Sequence, residues 1–238
     1  MLAGLLYKAP VEVNLAASFI PSFDSLDYPL GTDRLGRNVF SLYAWGSLVT
    51  ILLAIPARIL TLALALLLSL VSWYGGRFAG TVLQAFSSVF IAIPSLLGAL
   101  VILQVAGSGV IVIFLAIMIS DWALVYETVQ GKTREMKNSG YVTASILMGA
   151  GRLWVFRRHI LPAVFPVVYL LFVTGIPAVI MTLSIFSFLG VGMGGGYFGP
   201  GLGEQIAFSK DFVHQGLAPL MAPVAGILLM IYSFSNSK

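Results

Sequence analysis

FAGTVLQAFSSVFIAIPSLLGALVILQVAGSGVIVIFLAIMIS, residues 78–120, runs without one charged side chain. A helix needs roughly 20 mostly apolar residues to cross the hydrocarbon core of a bilayer, so this run is long enough for two crossings. Gly107-Ser108-Gly109 divides it, which places spans near 85–106 and 110–129. Working outward, Asn38 to Gly76 carries only Arg58, and neither Ile160 to Gly203 nor Gln215 to Ser237 carries any charge. These runs give further spans near 48–74, 162–189 and 216–235, about five in all. None of them keeps the period of two or the ten-residue rhythm of a membrane barrel.

Composition agrees. The chain is 59% hydrophobic and 9% charged, with a mean hydropathy of +0.99. Soluble domains are about half apolar and about a quarter charged, so a water-facing globular surface is excluded. Cysteine is absent, which removes disulfides, thiolate metal sites and cysteine nucleophiles. No GxxxxGK[ST] phosphate loop, Ser-His-Asp order or metal-ligand cluster is present, and no catalysis by this polypeptide is expected.

The net charge of +4 does not point to nucleic acid, because its distribution follows the membrane. Lys132, Arg134, Lys137, Arg152, Arg157 and Arg158, six of the 13 basic residues, lie between Gly131 and His159, with Glu135 the only acid there. An excess of Lys and Arg marks a cytoplasmic loop. Alternation then puts Arg77 and Lys238 inside, and Gly107–Gly109 and the glycine-rich segment 190–203 outside. Residues 1–42 also fall outside, although Met1 to Leu6 is too short to cross and Lys8 interrupts it. The expectation is a first helix ahead of Met1 that is missing or shortened.

Three further stretches stand in order: Leu30-Gly31-Thr32-Asp33-Arg34-Leu35-Gly36-Arg37-Asn38; Thr143-Ala144-Ser145 with Gly149 and His159-Ile160-Leu161-Pro162; and Ser187-Phe188-Leu189-Gly190-Val191-Gly192. In this order and spacing, over residues 9–234, the chain resembles the second, "C"-type permease subunit of oligopeptide, dipeptide and nickel ABC importers. That resemblance implies an all-α polytopic transmembrane helical bundle, the type I ABC importer permease fold, in the bacterial inner membrane. It divides the chain into an external segment, 1–42, and a permease domain, 43–237, containing a coupling loop, 131–159. It also implies a homologous partner permease, two cytoplasmic ATPase subunits that bind ATP and Mg, and an external solute-binding protein delivering peptides or a nickel or metal chelate. No cofactor is expected in this chain.

The chain departs from the family pattern at several points. Thr143 stands where the family has the glutamate of its loop motif, with Ser145 at the third position, and Ser88, Glu127 and Gln130 replace an acid and arginines. The family's Gly-, Asp- and Arg-rich tail after the last helix is also missing.

The residues themselves suggest how these sites work. Tyr141 to Met148 can form a short helix standing out of the membrane, with Val142, Ile146 and Ser145 sharing a face. Gly149 and Gly151 turn the chain back, and Leu153-Trp154-Val155-Phe156 returns it amphipathically, with Arg157 and Arg158 at the headgroup boundary. The resemblance makes this the ATPase-coupling loop, through Tyr141, Thr143, Ala144, Ser145, Gly149 and Arg152; the plain alternative is an ordinary basic loop. In the external motif of Gly31, Thr32, Asp33, Gly36 and Arg37, the glycines allow tight turns. Asp33 either caps a stretch Asn38–Trp45 lying on the outer membrane surface or meets a substrate-delivering partner. Arg58 and Asp121 are the ionisable residues inside spans and are functional candidates for that reason, pairing with each other or with a partner subunit, or lining the path. Pro94, Pro162, Pro166 and Pro177 are expected to break or bend their helices. His159 and His214 fall on opposite sides of the membrane, so they argue for no shared metal. A secondary transporter needs inverted repeats and paired midplane charges, which are not found. A scaffold or channel subunit remains a further alternative.

Overall fold

The structure is a computed structural model and describes residues 12–107, 109–191 and 199–236. The apolar start of segment 1–42, Ser108, Gly192, the middle of the 190–203 loop and Lys238 lie outside the described residues. Helices, in order, are α1 Val39–Ile91, α2 Ser95–Ala106, α3 Val110–Lys137, α4 Gly140–Leu147, α5 Arg152–Val155, α6 Leu161–Phe188, α7 Leu202–Ser209 and α8 Ala218–Ser235. A π-helical turn, Phe156–Ile160, joins α5 to α6. Among the described residues there is no strand, only two isolated bridges.

Among the described residues, four helical stretches are long and apolar enough to cross a membrane: Val39–Ile91, Val110–Lys137, Arg152–Phe188 and Ala218–Ser235. The span expected near 85–106 is not one helix. It divides at Ala92-Ile93-Pro94 into the end of α1 and the 12-residue α2. Pro94 is the cause, since it disfavours helical geometry at Ile93 and supplies no amide donor. The other prolines behave differently. Pro56 lies inside α1, and Pro162, Pro166 and Pro177 lie within α6, which runs unbroken.

The real break within α1 is a glycine. At 53 residues this helix is far longer than a bilayer core, about 30 Å, requires. It departs from helical geometry at Gly76, at φ 68° and ψ −148°, a region open to glycine and closed to side chains with a Cβ. Nothing lies within 4 Å of where a Cβ would stand, so the conformation and not space demands glycine. The expected surface stretch Asn38–Trp45 is likewise part of α1, which starts at Val39 and continues without a break into the apolar run. Its cap is Asn38, whose Oδ1 accepts from the Phe40 and Ser41 amides at 2.9 and 3.3 Å. Asp33, five residues earlier, is not the cap.

The chain forms two compact units: Met1–Pro56 with Ile102–Ile113 and Ile176–Lys238, and Ala57–Val101 with Phe114–Gly175. In the first, Val39, Leu42, Leu183, Phe186 and Leu202 are buried. The second has two apolar clusters. One is built on Leu62, Ala65, Trp122, Ala123, Val125 and Tyr126. The other joins Trp73 and Val129 to Val142, Val155, Phe156, Ile160 and Val164.

Candidate functional site

The basic loop folds as a compact hairpin of short helices. After Lys137, two residues lead into α4, and Gly149 at φ 87° reverses the chain toward α5. Gly151 does not share that conformation; its φ is −64° and it caps α5. Val142 and Ser145 face inward, and Val155 and Phe156 close over them. Each such burial of a large apolar side chain contributes about 1.5–3 kcal/mol. Ile146, expected beside Val142, instead points out at 45% exposure. At 100° per residue, Ser145 and Ile146 lie roughly 60° and 40° to opposite sides of Val142, and the buried face falls on the Ser145 side.

His159 locks the hairpin, and it was not expected to. Its Nε2 lies 3.2 Å from Ser145 Oγ, and its ring packs edge-on against Tyr141 and Trp154, at 5.5 and 5.3 Å between centroids. The only signal in the sequence was its position beside Ile160-Leu161-Pro162. Trp73 ties the loop to α1 by donating its indole N–H to the Arg152 carbonyl at 2.9 Å and packing on Phe156. Arg152 returns a bond to the Tyr74 carbonyl, also 2.9 Å. Thr143 and Ala144 are exposed, and the Thr143 hydroxyl bonds back to the Ser139 carbonyl. At the tip, Leu147 and Met148 stand 83% and 80% exposed, flanked by Tyr141, Ile146, Leu153 and Trp154.

Deeper in the same unit, Arg58 and Asp121 meet. Arg58, 4% exposed, places Nη1 2.6 Å from Asp121 Oδ2, and its Nε and Nη2 both donate to the Leu171 carbonyl at 3.0 and 2.6 Å. Three helices thus converge on one guanidinium. Gly175 makes room for it, since a Cβ there would overlap the guanidinium itself. Of the alternatives open from sequence, the mutual pair is the one found.

The external motif is a closed knot in the other unit. Gly31 and Gly36 adopt φ 75° and 68°. Thr32 accepts from the Ile20 amide and donates to the Ala17 carbonyl. Asp33 is spent internally: Oδ1 accepts from the Leu35 and Arg37 amides at 2.9 Å, and Oδ2 from the Arg37 guanidinium at 2.7 Å. Arg34 and Arg37 lie over the Phe208 ring at 3.6 and 4.8 Å, pinning the knot to α7. Gln205 of α7 donates to the Leu42 carbonyl at 2.8 Å. Burial pushes the nearby Glu204 carboxyl above the usual carboxylate range, against the pull of Arg37 and a backbone bond from Gly201. Among the described residues no group of three or more His, Asp or Glu is placed to hold a metal.

A multi-pass helical protein with a compact hairpin between its long helices is the class these features define. Residues 62–236 match the family of binding-protein-dependent transport system inner membrane components, and the chain belongs to that family. It is 27% identical over 199 residues to the oligopeptide transport system permease protein OppC of Bacillus subtilis (strain 168), covering 77% of this chain and 65% of that one. It is 27% identical over 169 residues to the dipeptide transport system permease protein DppC of the same organism, covering 71% and 53%. The di/tripeptide transport system permease protein DppC of Pseudomonas aeruginosa (strain UCBPP-PA14) is 27% identical over 206 residues, covering 87% and 67%. The chain therefore spans between about half and two thirds of the length of these relatives. Among solved structures, the inward-facing MetNI methionine ABC transporter matches with a TM-score of 0.65 at 15% identity, over 82% of this chain and 92% of that one. The likeness extends to the fold: this is the ABC importer permease architecture expected from the motifs.

Proposed function

We propose that this chain is one permease subunit of an ATP-driven importer, forming half of a translocation path with a homologous partner permease. Two ATPase subunits, which bind the ATP and Mg, would dock on the loop 131–159 from the cytoplasm, and an external solute-binding protein would deliver the substrate. The Lys and Arg excess in that loop supports the orientation. Short peptides are the proposed substrate class, because the relatives named above are peptide permeases.

The observation that carries the reading is the construction of the hairpin. Its tip exposes Leu147 and Met148, while its base is one apolar cluster with Trp73 of α1, Val129 of α3 and Val164 of α6. A rigid body with a bare apolar tip and a base packed into three long helices can carry a push from a docked partner into the membrane. An ordinary connecting loop has no such need. Thr143 offers a hydroxyl where the resembling family has a carboxylate, so the docking would rest more on the apolar tip than on charge. Arg58 and Asp121 would hold the moving helices in register rather than contact substrate.

Deleting residues 141–156 and isolating the protein from membranes tests this. An importer subunit loses its ATPases and keeps its partner permease, whereas a scaffold or channel subunit keeps every partner it had.

A further inference from the structure

A second basic feature lies between α1 and α3. Arg77 and Gln84 of α1 and Gln130, Thr133, Arg134 and Lys137 of α3 line a cavity of about 350 Å³, within the range of small-molecule sites. No carboxylate lines it. Among the described residues, Arg77, Arg134 and Lys137 form no ion pair; the nearby acids are engaged elsewhere, Glu135 with Lys132 and Glu127 with Ser87. Arg134 donates to the Gln84 side-chain carbonyl at 3.0 Å, a neutral partner that leaves its charge uncompensated.

Ser72, Gln130 and Thr133 line the cavity and belong to a buried hydrogen-bond network that continues to Ser69 behind them. Gln130 donates to Ser72 Oγ at 2.7 Å and accepts from Ser69 at 2.9 Å, and Ser69 and Thr133 lie 3.0 Å apart. Ser69, Ser72, Gln130 and Thr133 are all at least nine-tenths buried. The Gly76 kink starts a new arm of α1 at Arg77, which brings that cation to the mouth. All three cations sit on the side that the Lys and Arg count assigns to the cytoplasm.

We propose that this cavity binds the phosphate of an anionic phospholipid headgroup, with Arg77, Arg134 and Lys137 as its cations and the buried polar network fixing the helices that carry them. Basic pockets between membrane helices on that side suit this ligand, because the cytoplasmic leaflet presents it at high local concentration. The inference rests on membrane insertion and not on the transport reading.

The test is native mass spectrometry of the assembly isolated from membranes and exchanged into micelles doped with phosphatidylglycerol, cardiolipin or phosphatidylcholine. Retention of the anionic lipids and loss of phosphatidylcholine is expected, with affinity falling about five-fold for each of Arg77→Gln, Arg134→Gln and Lys137→Gln. Lys132→Gln removes a charge from the same helix outside the cavity and leaves retention unchanged. Equal retention of phosphatidylcholine, or an equal loss in the Lys132 variant, overturns the site. Displacement of the lipid by an equal concentration of inorganic phosphate overturns the lipid assignment. If the variants do not assemble, the lipid selectivity of the wild-type protein still decides.

Discussion

Arg58 and Asp121 stand 63 residues apart in the chain and 2.6 Å apart in space, and the remaining guanidinium donors of Arg58 close on the Leu171 carbonyl. One buried cation thereby joins α1, α3 and α6, with each guanidinium nitrogen donating one hydrogen bond. Removing one partner from a buried pair costs far more than replacing both, because the survivor is left charged and unsolvated. Asp121→Asn is therefore expected to destabilise the protein by about 3 kcal/mol, at the lower end for buried pairs because Asp121 keeps 31% side-chain exposure. The double variant Arg58→Met with Asp121→Leu should recover most of that loss. Thermal unfolding in detergent reads both, and a double variant as unstable as the sum of its parts contradicts the pairing.

Gly175 belongs to the same arrangement. A methyl group at that position displaces the Arg58 guanidinium, so Gly175→Ala should cost about 1–3 kcal/mol. The loss should vanish in an Arg58→Met background, where nothing is left to displace. A double-mutant cycle measures the coupling, and strict additivity would show that Gly175 serves the helix alone.

How much of this was legible beforehand depends on what the bilayer enforces. Lipid demands long uncharged helices, so the runs around Arg58 and from Phe78 to Ser120 declared themselves, and so did the two charges within spans. Helix ends inside an apolar run carry no such penalty. The kink at Gly76 accordingly goes unseen, and Pro94, a break expected from its residue type, falls inside the span placed at 85–106. Bonds to backbone carbonyls leave no trace in residue type, which hid the Leu171 acceptor and the clasp of Trp73 on Arg152. His159 stands in the motif that carries the resemblance, but its residue type gives no hint that two aromatic rings will flank it. Asp33 was read as a cap from its type, whereas Asn38 holds that place because it directly precedes the first helical residue.

The knot of the external motif should be stiff. Gly36→Ala places a side chain at φ 68° and against the Asn14 carbonyl, and a loss of at least about 1–2 kcal/mol is expected from the backbone alone. Limited proteolysis within residues 14–38 should accelerate in the variant. Unchanged cleavage would mean that the knot is not held as described.

Glu204 gives a pH dependence with a definite sign. Its folded pKa is raised by burial, so the folded protein holds this proton more tightly than the unfolded chain does. The resulting stability is fully present below the ordinary glutamate range and is lost as pH rises through the raised value. Melting temperatures from about pH 4 to pH 7 should therefore fall less in Glu204→Gln than in the wild type. Parallel curves would contradict the assignment.

The hairpin of α4 and α5 is expected to receive a partner at Leu147 and Met148. The direct measurement is isolation of the wild-type chain and a Leu147→Asp, Met148→Asp variant from membranes in mild detergent, with mass spectrometry of whatever accompanies each. The wild type should bring an ATPase and a second permease. The variant should keep the permease and hold the ATPase at least about thirty-fold more weakly, as loss of one central apolar contact of about 2 kcal/mol requires. A wild-type chain that purifies with no ATPase, or a variant that retains it undiminished, would contradict the claim.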